Sequence, residues 1–258
     1  MQSRFNVHIL RFDSLPSTNT EAARQAAAGA SEGLCVVARE QTAGRGRRER
    51  AWASPKDAGL YFSVVLRPQL EAAAWSLVPL AAALAVRDAL SEACGLETDI
   101  KWPNDLLARG RKLCGILAEA CETVRGRACV VGIGINLSDA AFPAEIAARA
   151  TSVEAETGAT PDREELLAAL THSLARRYER LHEPDGQTET LGAWAAASTY
   201  ATGKRVRVAL GDESIEGTTR GLEPDGALRV ELDDGEIRIV RAGDVTALRQ
   251  REDENFVG

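Results

Sequence analysis

The chain has 258 residues, 45% hydrophobic and 27% charged, with a formal net charge of −7. That composition suits a globular protein with one large core and room for a small second domain. The acidity argues against general affinity for nucleic acid or anionic membrane, so any anion binding must be local.

The opening "MQSRFNVHILRFDSLPS" lacks the apolar run of a signal peptide. Residues 7–12 (VHILRF) form a strand closed by the turn residues DSLPS, and TEAARQAAAGA reads as a helix of strong formers ended by Gly29. A buried-type strand at 34–40 runs into the loop QTAGRGRRER, and LYFSVVLRP (60–68) alternates as a strand. A long helix covers about 77–93, with Ser76 as cap, Pro79 in its first turn and Gly95 at its end. Its Ala-rich run is interrupted by Arg87 and Asp88, so no apolar stretch approaches the roughly 20 residues of a membrane span.

DIKWP is a short strand, and NDLLARGRKLCGILAEA turns as a hairpin near Arg109-Gly110. ACVVGIGINLS (128–138) reads as a strand broken by glycines. TPDREELLAALTHSLARRYERL is the clearest helix, with Thr160 as cap, Pro161 in first position and one face of Leu166, Leu170, Leu174, Tyr178 and Leu181. After about residue 198 short strands alternate with GDE, EPDG and DDG turns, the pattern of a small antiparallel barrel or sandwich. The cysteines (Cys35, Cys94, Cys114, Cys121 and Cys129) are odd in number and form no C-x-x-C pair, which points to reduced thiols filling the core of a cytoplasmic protein.

Four stretches carry candidate chemistry. In QTAGRGRRER, Gly44 and Gly46 let the backbone approach a ligand. Arg45, Arg47, Arg48 and Arg50 offer planar, permanently charged donors for phosphate or carboxylate. Such a loop repels itself when empty and is ordered by a multivalent anion. A solvated basic turn and an arginine-rich nucleic-acid patch are the alternatives. KWPNDLL (101–107) fixes Lys101 at a strand end before Asn104 and Asp105, which alone are ordinary turn residues. GIGIN (132–136) marks either a close backbone approach or room for a ligand read by Asn136. STN (17–19) either caps a helix or faces a small polar ligand.

Taken in order, STN, QTAGRGRR…W, KWPNDLL…RKLCGIL.E, GIGIN and a small β domain resemble the biotin–protein ligases, from about Phe12 to about Arg249. The resemblance implies an α+β fold of the class II synthetase/biotin–lipoate ligase type: a mixed β-sheet with flanking helices over 1–195, plus a small C-terminal β-barrel domain over 198–250. It implies a reaction in which biotin's carboxylate is joined to the α-phosphate of ATP, pyrophosphate leaves, and the biotinyl group passes to a carrier lysine. ATP and biotin are then substrates, and Mg²⁺ arrives with ATP; no metal ligands are assigned.

By the same resemblance Lys101 is the catalytic lysine, and Arg45 and Arg47 cover biotin and the acyl phosphate. Ser17, Thr18, Asn19, Gln41, Gly46 and Gly115 complete the biotin site. Arg47, Arg48, Lys112, Gly132, Gly134 and Asn136 face the nucleotide. Trp52 packs either in the closed lid or in the core. Glu49 stands where the family has a glycine; if that position needs positive φ, it is strained by about 1 kcal/mol, and its charge pairs with a neighbouring arginine. STN at residue 17 leaves no room for the helix-turn-helix of longer members, so no operator binding is expected. The implied partner is the biotin carboxyl carrier protein of acetyl-CoA carboxylase or a related carboxylase. DNA and membrane are excluded, and the chain is a monomer or homodimer. A lipoate or octanoate ligase of the same fold, and a non-enzymatic arginine-loop binding module, are the alternatives.

Overall fold

In the computed structural model, residues 5–140 and 142–248 are described; residues 249 and 250, the end of the expected small domain, lie outside them. The core is a seven-stranded mixed sheet in the order β1-β2-β3-β7-β6-β5-β4. Its strands are β1 (His8–Phe12), β2 (Leu34–Ala38), β3 (Gly59–Leu66), β4 (Asp99–Lys101), β5 (Asp105–Ala108), β6 (Arg111–Thr123) and β7 (Gly126–Asn136). Only β1 and β2 are parallel, joined through α1 (Thr18–Ala27). β3 is buried along its whole length rather than alternating, because β2 and β7 flank it and helices cover the sheet. β7 is continuous through its glycines, paired with β3 on one side and β6 on the other. The β5–β6 hairpin turns at Arg109-Gly110 as expected, both at positive φ.

The long helix is α2 (Val78–Cys94), ended by Gly95 in the left-handed region. Ser76 does not cap it. A 3₁₀ turn, Ala72–Leu77, precedes it, and the Ser76 hydroxyl instead donates to Asp225 O at 2.6 Å. The helical run Ala72–Cys94 is long and apolar enough to cross a membrane by length and composition, contrary to the sequence expectation. Two-thirds of that stretch is buried inside the fold, as befits a core helix. It packs on α5 (Arg163–Arg180) and α6 (Gly186–Ala196). Two short helices, α3 (Ala144–Ala147) and α4 (Val153–Thr157), precede α5. The α5 cap is Asp162, not Thr160: its carboxylate accepts from the N–H groups of Glu164 and Glu165, while Thr160 bonds Glu154.

The C-terminal unit contains β8 (Thr202–Leu210), β9 (Glu213–Leu222), β10 (Leu228–Glu231), β11 (Ile237–Val240) and β12 (Asp244–Ala247). They form one antiparallel sheet ordered β11-β10-β9-β8-β12. Among the described residues no ladder joins β11 to β12, so the expected barrel is not closed. Val206, Val208, Leu228, Val230 and Val245 belong to the same apolar cluster as α2 and the large sheet. The Trp102 indole, buried in the KWP turn, donates to Gly226 O at 3.0 Å. These contacts hold the small sheet beside the strands that carry the KWPND segment.

All five cysteines are free. Burial pushes the Cys35 and Cys129 thiols up to about 12 and raises Cys114 as well, so these groups fill space rather than react.

Candidate active site

A cavity of about 130 Å³ opens between α1, the arginine loop and strands β5, β6 and β7. Its floor is made by the STN segment. Ser17 caps α1 through the Thr20 N–H, which leaves Thr18 and Asn19 facing the sheet at the first turn. The Thr18 N–H donates to Gln41 Oε1 at 2.8 Å, and Ser63 Oγ lies 2.7 Å from Thr18 Oγ1. Ser63 donates to Asn19 Oδ1 at 2.6 Å, while Asn19 Nδ2 donates to Leu117 O and Glu119 Oε2. Gly132 is required here because a Cβ would fall onto the Asn19 amide, 2.8 Å from its Cγ.

The arginine loop is a small folded lid. Gly46 N–H bonds Arg50 O, Trp52 N–H bonds Gly44 O, and a 3₁₀ turn spans Arg47–Glu49. Arg45 pairs with Glu119 at 2.5 Å, and Arg47 reaches Asn104 Oδ1 at 3.3 Å and Gly243 O at 3.4 Å. Arg48 and Arg50 both reach Asp244 on the small sheet. Burial draws the Arg47 guanidinium below its ordinary value. Trp52 lies in the cavity rather than the core. Its indole covers Gly115 and Gly134, with the ring 2.9 Å from where a Gly115 Cβ would stand.

A cation–carboxylate cluster faces the lid. Lys112 Nζ lies 2.6 Å from Asp105 Oδ1, and Lys101 Nζ 3.7 Å from Asp105 Oδ2. The β5–β6 register pairs Asp105 with Gly115 and Leu106 with Cys114, then slips so that Leu107 pairs with Lys112. This bulge turns Lys112 onto the same face as Asp105 and Gly115, which is the cavity face. Lys101 shares that face but sits on β4, the outermost strand.

The structure therefore gathers most of the residues named from sequence. Ser17, Thr18, Asn19, Gln41, Arg45, Gly46, Arg47, Lys112, Gly115, Gly132 and Gly134 all line the cavity. Three do not. Lys101 stands behind Asp105, two strands further out than Lys112. Arg48 points to Asp244 and Ala209 O. Asn136 is buried with its amide donating to Thr151 O at 2.9 Å, so it tethers the 149–151 segment to the end of β7 instead of facing the cavity. Asp105, Trp52 and Asp244 line the cavity without having been assigned to it, and Ser63 and Glu119 hold its floor through Thr18 and Asn19. Asp105 was visible in KWPND, as was Glu119 in GIL.E; no local pattern marks Ser63 or Asp244.

Comparison with known proteins gives the family. Residues 11–136 match the biotin/lipoate A/B protein ligase family, and 202–246 match the biotin protein ligase C-terminal domain. The chain is 36% identical over 239 residues to the bifunctional ligase/repressor BirA of Bacillus subtilis, covering 91% of this chain and 73% of the relative. The chain belongs to the biotin protein ligase family. Within it, the biotin–[acetyl-CoA-carboxylase] ligase of Mycobacterium tuberculosis is 38% identical over 90% of this chain and 86% of its own. The Paracoccus denitrificans ligase of the same name is 41% identical over 82% and 89%. Among solved structures, the Aquifex aeolicus biotin protein ligase in complex with biotin and ATP superposes with a TM-score of 0.81. It is 30% identical, and the match covers 94% of this chain and 99% of that one.

The departure from the family's lid also has a structural meaning. Glu49 has φ 58° and Arg48 φ 54°, so the position does need the left-handed region. The lid arginines pair with Glu119 and Asp244 rather than with Glu49. Its cost is therefore uncompensated, of order 1 kcal/mol. Glu49→Gly is expected to favour the folded lid and tighten biotinyl-AMP binding about fivefold. Tryptophan-fluorescence titration checks this, since Trp52 lies in the cavity; equal affinity refutes it.

Proposed function

We propose that this chain is an ATP-dependent biotin–protein ligase. A biotin carboxylate oxygen attacks the α-phosphorus of ATP, pyrophosphate departs, and biotinyl-5′-AMP forms. The amine of one lysine on a biotin carboxyl carrier protein then attacks the acyl carbon and AMP leaves. The observation that carries this reading is the convergence of Lys112, Arg45 and Arg47 over a floor of paired amides and hydroxyls. Bringing a carboxylate to a polyphosphate needs cations fixed before the anions arrive, and these three supply them. In this proposal Lys112 takes the position that the resemblance gave to Lys101, and Lys101 acts through Asp105.

Thr18, Asn19 and Gln41 present donors and acceptors suited to a ureido group, and Trp52 and Ile116 supply apolar wall. Magnesium enters as part of the ATP substrate; Asp105 and Asp244 are the carboxylates that line the cavity. The cavity is smaller than the roughly 300–1,000 Å³ usual for ligand sites. The lid must therefore lift to admit substrates and then close to keep water from the anhydride. The same proposal takes 1–195 as the catalytic unit and 198–250 as an accessory domain that docks the lid. It places the protein in the cytoplasm, where its thiols stay reduced.

ATP–pyrophosphate exchange tests the reading. Biotin with Mg·ATP is expected to drive exchange, and lipoate or octanoate is not. Exchange supported by lipoate selects the lipoate ligase reading, and exchange with no acid leaves only a binding module.

A further inference from the structure

Ile116 and Leu117 of the GIL.E element wall the cavity, but its glutamate has no role in the function proposed above. Glu119 sits on β6 with its side chain one-third exposed, and its two oxygens do different things. Oε1 takes Arg45 of the lid at 2.5 Å, and Oε2 takes the Asn19 amide of the floor at 2.9 Å. Beyond Asn19 the chain of contacts continues through Ser63, Thr18 and Gln41 to Ser54 Oγ, which donates to Trp52 O at 3.1 Å. Both ends of this polar path, Arg45 and Trp52, belong to the lid, and its middle is the ligand-reading floor.

We infer that Glu119 is a positioning residue that couples the filled floor to the closed lid. The inference rests on the ligase reading. An asparagine amide has nearly the same shape either way round, so its orientation is set by its partners. Ser63 fixes the oxygen end, and Leu117 O with Glu119 fixes the NH₂ end. Glu119 does this with an acceptor-only group, so the same carboxylate can hold a second donor, Arg45. Disturbing the floor therefore disturbs the anchor of the lid arginine, and the reverse.

Glu119→Gln tests the coupling while preserving shape. A glutamine at 119 has one acceptor oxygen and one NH₂, yet faces two donors, so one of its two contacts becomes donor against donor. Two readouts are taken on the full-length variant: the biotin Kd by calorimetry, and the rate at which preformed biotinyl-AMP escapes into solution. Each is expected to rise about tenfold, a loss typical of a hydrogen bond to a charged group, with the KM for ATP within about twofold of wild type. A purely structural role lowers the melting temperature and moves neither readout, which overturns the inference. A rise in one readout alone also overturns it, because floor and lid are then independent. If the glutamine variant does not purify folded, Glu119→Asp is read in the same two assays. Its charge is kept, but it is one methylene short of bridging both partners, and the same rises are expected. The wild-type control separates the two levels: no biotinyl-AMP from wild type defeats the ligase reading, whereas normal wild-type behaviour with an unaffected variant defeats only the role of Glu119.

Discussion

Lys112→Ala is expected to lower biotin-dependent ATP–pyrophosphate exchange about 100-fold or more, the usual loss when a preplaced charge-stabilising group is removed. The ammonium lines the cavity, and among the described residues no other lysine does. Its loss also leaves Asp105 without its 2.6 Å partner, a third anion where two anions must already meet. The loss should fall on kcat/KM for exchange, with the fold intact by circular dichroism. Lys101→Ala should cost clearly less, because Lys101 reaches the site only through the other oxygen of Asp105, at 3.7 Å. If the two variants exchange rank, Lys101 is the amine that meets the substrates and the reading of the β6 bulge is wrong.

Gly132→Ala is expected to raise the biotin KM by about 100-fold, from a single added methyl group. The methyl is directed at the Asn19 amide, 2.8 Å from Cγ, in a strand paired on both sides that has no slack to shift. Overpacking of this kind costs about 1–3 kcal/mol. Here the cheapest relief is rotation of Asn19 away from Ser63, Leu117 O and Glu119, which removes the floor's donor set. Gly192→Ala is the control: its methyl meets nothing within 4 Å on α6, and helix propensity improves by up to about 1 kcal/mol. That variant should bind biotin as wild type does. Normal biotin kinetics in Gly132→Ala would show that Asn19 takes no part in recognition.

Much of this arrangement was legible before any coordinates. Strand and helix order in the large domain follows from periodicity. The Arg109-Gly110 turn and the Gly95 stop follow from which residues tolerate positive φ. Glu49 could be marked as strained for the same reason. What escaped has physical causes. Thr160 and Asp162 both qualify as caps, and only the actual chain path shows which carboxylate or hydroxyl reaches the free N–H groups. Lys101 and Lys112 flank the same aspartate in one motif, and strict alternation along β6 puts Lys112 on the face of Cys114, away from the cavity. A one-residue bulge reverses that, and no local residue pattern announces it. Asn136 looked like a ligand reader because the glycines of GIGIN could make room for a ligand beside it; its amide bonds the backbone at Thr151 instead. Ser63 and Asp244 are invisible in sequence because their partners are 44 and 194 or more residues away.

That last separation bears on how the protein is made. Residues 243–244 leave the ribosome well after the arginine loop, and they supply acceptors for Arg47, Arg48 and Arg50. Domains generally fold as units in order of synthesis, so the large sheet can assemble while its arginine loop still has no place to rest. A nascent or prematurely ended polypeptide would carry a formed vitamin pocket under an untethered cover. Retention of a reactive anhydride is thereby tied to synthesis of β12 as well as of the large sheet.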